Sequence, residues 1–335
     1  MARYVVIGAG AVGGGIGGTL QQAGVDAVLV ARGEHLAALR ADGLEIVTPE
    51  ATTRVAVTAI GGPDEVSLEA DDVLVLTTKT QQAEAALVQW ADAPVAGGGT
   101  ASERLPLVTA LNGVASEALA LRYFARVYGA CVWMWANFTR PGRVILSGSP
   151  TRGLFHLGRV PAASTDDADV ALLDRIRSDW APAALDVRVP DDVMPWKHRK
   201  LLTNLGNAHQ ALVGDVRGTG ELVRAAVAEG RAVLEHAGIA VTPDEVEAEA
   251  RKAYAIVDLS DREGFLGGST YQSLVRGTGD VETDYLNGEI VLVARQLGIE
   301  APINARLASL VRQAVRRGDS APRMSLEELR RRLDS

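Results

Sequence analysis

The chain has 335 residues, 47% of them hydrophobic, and carries 34 Lys and Arg against 42 Asp and Glu, a net charge of −8. That is enough apolar material for one large or two medium cores, and an acidic chain without a basic block excludes nucleic acid as an expected partner, since phosphate contacts need clustered cations. A single cysteine (Cys131) excludes an intrachain disulfide, five histidines without paired spacing predict no metal site, and an N-terminal apolar run soon broken by glycine is too short for a signal or a membrane span, so a cytoplasmic location away from membranes is expected.

The first half alternates. RYVVIG reads as a strand, AVGGGIGGTLQQAG as a glycine-rich helix, DAVLVA as a second strand and EHLAALRADG as a helix closed by glycine. VLVLTT, PLVTALNG and VYGACVW continue the strands, with QQAEAALVQW as a helix between the first two. Apolar strands alternating with helices predict a parallel sheet covered on both faces. GRVILSG and GLFHLGRV read as an antiparallel extension, DVALLDRIRSDWAPA as one more helix and LDVRVP as one more strand. From about residue 192 onward the pattern predicts helices and no strands. The expected fold is α/β: a Rossmann-type doubly wound sheet over residues 1–190, followed by an all-helical domain over 191–335.

Gly8-Ala9-Gly10-Ala11-Val12-Gly13 forms a GxGxxG run that follows a strand and opens a helix, the context that makes this motif a dinucleotide fingerprint. Gly8 permits the tight turn, Gly10 lets a pyrophosphate approach the backbone, and Gly13 allows close helix–sheet packing. An NAD site has an acid at the end of the second strand; this chain has Arg32, which pairs with a 2′-phosphate, so NADP(H) is the expected cofactor. Lys79 closes the third strand at the sheet edge where ligands bind, within reach of cofactor or substrate unless it is a plain surface lysine. Asn112 and Gly113 stand on the same edge, near the nicotinamide or as a simple turn.

WKHRKLLTNLGNAH reads as one helix over residues 196–209. With Lys200 at the origin, Asn204 falls at about 40°, Asn207 at about −20° and Lys197 at about 60° around the axis, so a cation and two amides share a face. That face suits the carbonyl and carboxylate of a small acid; a domain-linking helix with a wet polar stripe has the same pattern. Lys197 is the nearest rival of Lys200 on the same helix, or else a solvated charge; His198 and His209 are expected to be surface or satisfied histidines, and Cys131 an inert core thiol.

The whole chain resembles the ketopantoate reductase (2-dehydropantoate 2-reductase) family, on the glycine motif, Arg32, Lys79, Asn112-Gly113, Trp196 with Lys200-Leu201 and Asn204, and ETDYLNGEI with Glu282. The resemblance implies Lys200 as general acid and Asn204 as a substrate-binding amide, with Glu282 on the cofactor ribose beside the substrate. It also implies Thr270, with Ser273 near it, on the substrate carboxylate, and main chain at Asn137 by the nicotinamide. A second family asparagine would stand at Ala208, and Asn207 lies one residue early. Trp133, Met134 and Trp135 replace a strand of small or hydroxyl residues, either as core or as a reshaped pocket. The implied reaction is NADPH-dependent reduction of a 2-oxo acid, ketopantoate to pantoate first, with a bulkier 2-oxo acid or lactone as alternative. A non-enzymatic NADPH-binding sensor is the second class. Apolar helices of the second half pairing between subunits are the expected route to a homodimer.

Overall fold

The computed structural model describes residues 2–259, 268–275, 281–319 and 321–333. The described strands are β1 Tyr4–Ile7, β2 Ala27–Val30, β3 Leu44–Val47, β4 Thr52–Val55, β5 Ala59–Ile60, β6 Val73–Leu76, β7 Leu107–Thr109, β8 Val127–Trp133, β9 Ala136–Arg140, β10 Arg143–Leu146, β11 Gly148–Ser149, β12 Gly153–Val160, β13 Leu185–Arg188 and β14 Ala255–Ile256. The helices are α1 Ala11–Gln22, α2 Gly33–Asp42, α3 Thr80–Ala91, α4 Ala101–Arg104, α5 Ala115–Ala120, α6 Asp167–Trp180, α7 Met194–Asn204, α8 Asn207–Val213, α9 Gly220–His236, α10 Asp244–Arg251, α11 Ser269–Val275, α12 Asn287–Gln296, α13 Pro302–Arg316 and α14 Leu326–Leu333.

Two compact units form: residues 1–111, 116–196 and 245–265 in one, and 112–115, 197–244 and 266–335 in the other. The partition is therefore not one cut along the chain, where the sequence suggested a single boundary at 190–191. The short segment after β7 joins the helical unit, and the segment from Glu245 joins the sheet unit.

In the first unit β1, β2 and β6 are four-residue apolar strands buried on both faces, as parallel strands covered by helices must be. The main sheet runs in the order β13-β12-β8-β7-β6-β1-β2-β5. Its pairs are parallel except β8 with β12, so GLFHLGRV forms the expected antiparallel extension, whereas GRVILSG does not: it forms β10, which lies in a second sheet and pairs parallel with β3. One core packs Ile16, Leu20, Leu172, Ile176 and Trp180 against one face, and a second packs Ala83, Leu87, Trp90 and Phe124 against the other. This is the doubly wound arrangement that the alternating pattern predicts.

A second sheet runs in the order β4-β3-β10-β9; β10 is the GRVILSG run, whereas β3 and β4 fall in residues 44–60, which the sequence reading left unassigned. β9 and β10 form a hairpin about Gly142, which adopts φ 75°. The small face of α1 lets this sheet approach: a methyl on Gly14 would lie 2.9 Å from Val144 Cγ1, and one on Gly15 2.9 Å from the sulfur of Met134. Two expectations are corrected. Strands do not end near 192, because β14 pairs antiparallel with β11. The single helix over 196–209 is two helices, α7 and α8, with a break at Leu205-Gly206.

Trp180 is fully buried and makes edge contacts with Tyr4 and Phe155 at 6.0 and 5.1 Å between ring centroids. Trp180→Ala is expected to lower stability by roughly 3–5 kcal/mol in chemical denaturation, as a lost aromatic core residue does. A loss near zero would show that this core does not depend on the ring.

Candidate active site

The glycine loop is built from β1 inward. Gly8 takes φ 106°, a conformation that favours glycine. Its amide and that of Ala9 both donate to the Val30 carbonyl, at 3.2 and 2.9 Å. Thr77 Oγ1 donates to the Gly8 carbonyl at 2.8 Å, so the loop is tied to β2 on one side and to the end of β6 on the other. A methyl on Gly13 would lie 2.2 Å from the Gly8 oxygen and 2.4 Å from Thr77 Oγ1, which enforces glycine there. A methyl on Gly10 would meet nothing within 4 Å, so the backbone is open on that side. α1 starts at Ala11 with no acid in its first turn, leaving the amides and dipole at its N-terminus uncompensated for an anion. Thr78 Oγ1 and both polar atoms of the Gln81 side chain are buried at this carboxyl edge of the sheet without a hydrogen-bond partner among the described residues. Open backbone, an uncompensated helix N-terminus and orphaned polar atoms together fit a dinucleotide whose pyrophosphate meets Ala9 to Gly13.

Arg32 directly precedes α2 and is exposed, and its guanidinium donates to Gln89 Oε1 of α3 at 2.7 Å. His35, one turn into α2, places Nε2 2.7 Å from the Ala9 carbonyl oxygen, and its Nδ1 accepts from the Gly142 amide at 3.0 Å. Burial pushes its imidazole below the usual histidine range. Lys79 is half-buried and immediately precedes α3. Asn137 is buried in β9. Trp133 and Met134 are buried and belong to the core, whereas Trp135 is 46% exposed. Cys131 is buried, and its thiol donates to the Trp196 carbonyl at 3.4 Å.

The helical unit assembles the second group. Lys200 and Asn204 lie one turn apart on α7, hence on one face. Lys200 is half-buried and Asn204 buried. Asn204 Nδ2 donates to Asn112 Oδ1 at 3.4 Å, so two residues far apart in sequence meet. Gly113 takes φ 76°, and a methyl there would lie 2.8 Å from the Tyr285 carbonyl, which seats the Asn-Gly turn on the 3-10 turn Thr283–Tyr285 that follows Glu282. Glu282 is itself buried.

Asn207 is not on the Lys200 face through helical phase, because α7 ends first. The Asn287 amide donates to the Leu205 carbonyl at 3.3 Å and to Asn304 Oδ1 at 2.9 Å, which takes up a carbonyl at the break. Asn207 opens α8 instead, with Oδ1 3.5 Å from the position of a Cβ on Gly268. Gly268 donates its amide to Gln210 Oε1 at 2.8 Å, and α11 packs on α8. Asn207 is thus near the start of α11, the helix of Thr270 and Ser273, which are both buried. Thr270 Oγ1 has no partner among the described residues.

Two further basic side chains are buried. Lys197 is not a solvated charge: its side chain is 2% exposed, among the largest buried ones in the protein. His209 is buried, and burial lowers its pKa to about 4, while His198 Nδ1 lies 3.2 Å from the Ala240 carbonyl. Sequence reasoning also missed Thr77, His35, Gln89 and Asn287. Only Asn287 carried a visible signal, as the asparagine of YLNG.

A glycine loop at the carboxyl edge of a doubly wound sheet, in a chain with a helical unit that presents a lysine and asparagines, is the architecture of two-domain dinucleotide-dependent oxidoreductases. The chain belongs to the ketopantoate reductase PanE/ApbA family: the family model matches residues 4–161 and the model of the C-terminal part matches residues 192–315. It is similar to the 2-dehydropantoate 2-reductases of Pyrococcus horikoshii, 27% identical over 323 residues (92% of this chain, 96% of that one), and of Halobacterium salinarum, 29% identical over 327 residues (94% and 100%). Among solved structures it resembles a PanE/ApbA family ketopantoate reductase from Ralstonia eutropha JMP134, with a TM-score of 0.74, 26% identity and coverage of 94% and 99%. It shares its fold with D-mandelate dehydrogenase solved with NADH and anilino(oxo)acetate, with a TM-score of 0.77, 22% identity and coverage of 94% and 99%.

The burial of Lys197 makes it a stability residue. Lys197→Ala is expected to cost about 2–4 kcal/mol in chemical denaturation, because it leaves a cavity where a long side chain is buried. A variant as stable as the parent would show that the side chain is solvated after all.

Proposed function

We propose that the protein reduces a 2-oxo acid to a 2-hydroxy acid with NADPH, with ketopantoate as the first substrate to test. The observation that carries this reading is the grouping of Lys200, Asn204 and Asn112 within one unit, with Asn204 bonded to Asn112 and Lys200 one turn away. The names of the relatives support the same reaction, and the NADH complex of the fold neighbour supports a nicotinamide cofactor.

In this reading the pyrophosphate lies on Ala9 to Gly13 and Arg32 pairs with the 2′-phosphate. Glu282 accepts from the ribose hydroxyls, Lys79 steadies the cofactor and Asn137 borders the nicotinamide. Bound NADPH supplies the hydride. The Thr270 hydroxyl, which has no described partner, donates to the substrate carboxylate, assisted by Asn204, with Ser273 and Asn207 lining the same helices. Lys200 directs its ammonium at the substrate carbonyl oxygen. Its charge stabilises the alkoxide that develops there, and its proton then neutralises that alkoxide. Asn112 holds Asn204 in place. The exposed Trp135, two residues before Asn137, favours a second reading in which a bulkier 2-oxo acid stacks on the indole.

The direct experiment is NADPH oxidation against a panel of 2-oxo acids that includes ketopantoate and aromatic members; no turnover with any of them would defeat the proposal. Arg32→Ala is expected to weaken NADPH by roughly 10- to 100-fold, the cost of a charge-assisted contact, with little effect on NADH. Equal losses for both dinucleotides would remove Arg32 from the 2′-phosphate. Lys200→Ala is expected to lower kcat by about 10²- to 10⁴-fold with little change in NADPH affinity, as for a positioned acid. Wild-type kcat in that variant would shift the role to Lys79.

A further inference from the structure

We infer that His35 is a positioning residue for the cofactor, a neutral clamp that fixes the glycine loop to the β9–β10 hairpin; the inference rests on the proposal that a nicotinamide dinucleotide binds that loop. Three contacts define the clamp. Nε2 lies 2.7 Å from the Ala9 carbonyl oxygen, in the middle of the Gly8-Ala9-Gly10 turn. Nδ1 lies 3.0 Å from the Gly142 amide at the tip of the hairpin. The ring stands edge-on to Phe138 at 4.8 Å between centroids, with an interplanar angle of 74°.

The partners settle the tautomer. A carbonyl can only accept, so Nε2 carries the proton; a backbone amide can only donate, so Nδ1 is bare. One neutral imidazole satisfies both contacts and no other protonation state does.

The consequence for the cofactor follows from the peptide geometry. The Ala9 carbonyl and the Gly10 amide belong to one planar unit, so holding the oxygen fixes the direction of that amide plane. The Gly10 amide is itself bonded to the Gly8 carbonyl at 2.8 Å, and the Ala9 amide to Val30. With His35 in place every polar atom of the Ala9 peptide units is held, and the loop meets the pyrophosphate already in shape. Arg32 governs which dinucleotide binds. His35 governs how well the loop is formed for either.

The test measures the Kd of NADPH and of NADH by fluorescence titration on the full chain, with cofactor KM and kcat beside them. His35→Ala is expected to weaken both dinucleotides by the same factor, about 10-fold for one lost positioning hydrogen bond, with the loss in Kd and KM rather than in kcat. His35→Gln, which keeps a donor for the Ala9 carbonyl, is expected to bind within about threefold of the parent, since the remaining contact is the orienting one. Phe138→Leu removes the ring contact alone and is expected to lower Tm while leaving both Kd values unchanged. An unchanged Kd in His35→Ala overturns the inference, as does equal weakening in His35→Gln or in Phe138→Leu, which would reduce the histidine to packing. If His35→Ala does not fold, His35→Leu, which fills the site but offers no donor to the Ala9 carbonyl, takes its place with the same expected loss of about 10-fold, and unchanged binding in it overturns the inference. A parent protein that binds neither dinucleotide overturns the proposed function and this inference together, whereas a parent that binds and a His35→Ala protein that binds equally overturns this inference alone.

Discussion

The sheet unit depends on how closely the first helix can approach the first strand. A methyl group on Gly13 would overlap the Gly8 carbonyl and the Thr77 hydroxyl, so the start of α1 is pressed onto the edge of β1 and β6 at backbone contact. That approach sets the position of the helix N-terminus, the openness of the backbone at Gly10 and the reach of Thr77 to the loop. Further along α1, Gly17 meets Leu29 on one side and Gly18 meets Leu44, so the same run of glycines lets the helix sink between the main sheet and the second sheet. The binding loop and the packing of the core are one constraint seen at two ends of a helix.

The helical unit is organised by a different device, a buried amide network. Asn287 bonds the Leu205 carbonyl and Asn304; Asn304 in turn bonds the Ala226 carbonyl and Glu229. Hydrogen bonds between buried amides restrict such a network to one geometry, although Asn287 Oδ1 has no partner among the described residues. Here it accompanies the end of α7 just past Asn204. The consequence is that the two asparagines of the segment serve different places, Asn204 beside Asn112 and Asn207 beside the start of α11.

Much of the fold was legible because apolar periodicity reports burial directly. β1, β2 and β6 are short, uniformly apolar runs, and they form the centre of the sheet. The strands over 44–60 were not legible: Thr52–Val55 alternates between exposed and half-buried positions, and Ala59–Ile60 is only two residues long. β14 is likewise two exposed residues, strand-like only because β11 pairs with it. The glycine motif, Arg32 and the Lys200–Asn204 spacing were legible because they are local patterns. The pairing of Asn112 with Asn204, and of His35 with Ala9 and Gly142, joins residues remote in sequence, and nothing in either segment announces the other.

The sequence by itself determined the class of fold, the dinucleotide motif and the family, since each is carried by order and spacing along the chain. It also determined that Lys200 and Asn204 share a helical face, because one turn of helix is short enough to fall within one element. Tertiary structure alone decided that Lys197 is buried and that α7 stops at Asn204. It alone decided that residues 112–115 belong with the helical unit, and that a histidine after Arg32 holds the glycine loop. The physical reason is the same in each case: a side chain's burial and its hydrogen-bond partner are set by what packs against it from elsewhere in the chain, and that information is absent from the local pattern that identifies the element.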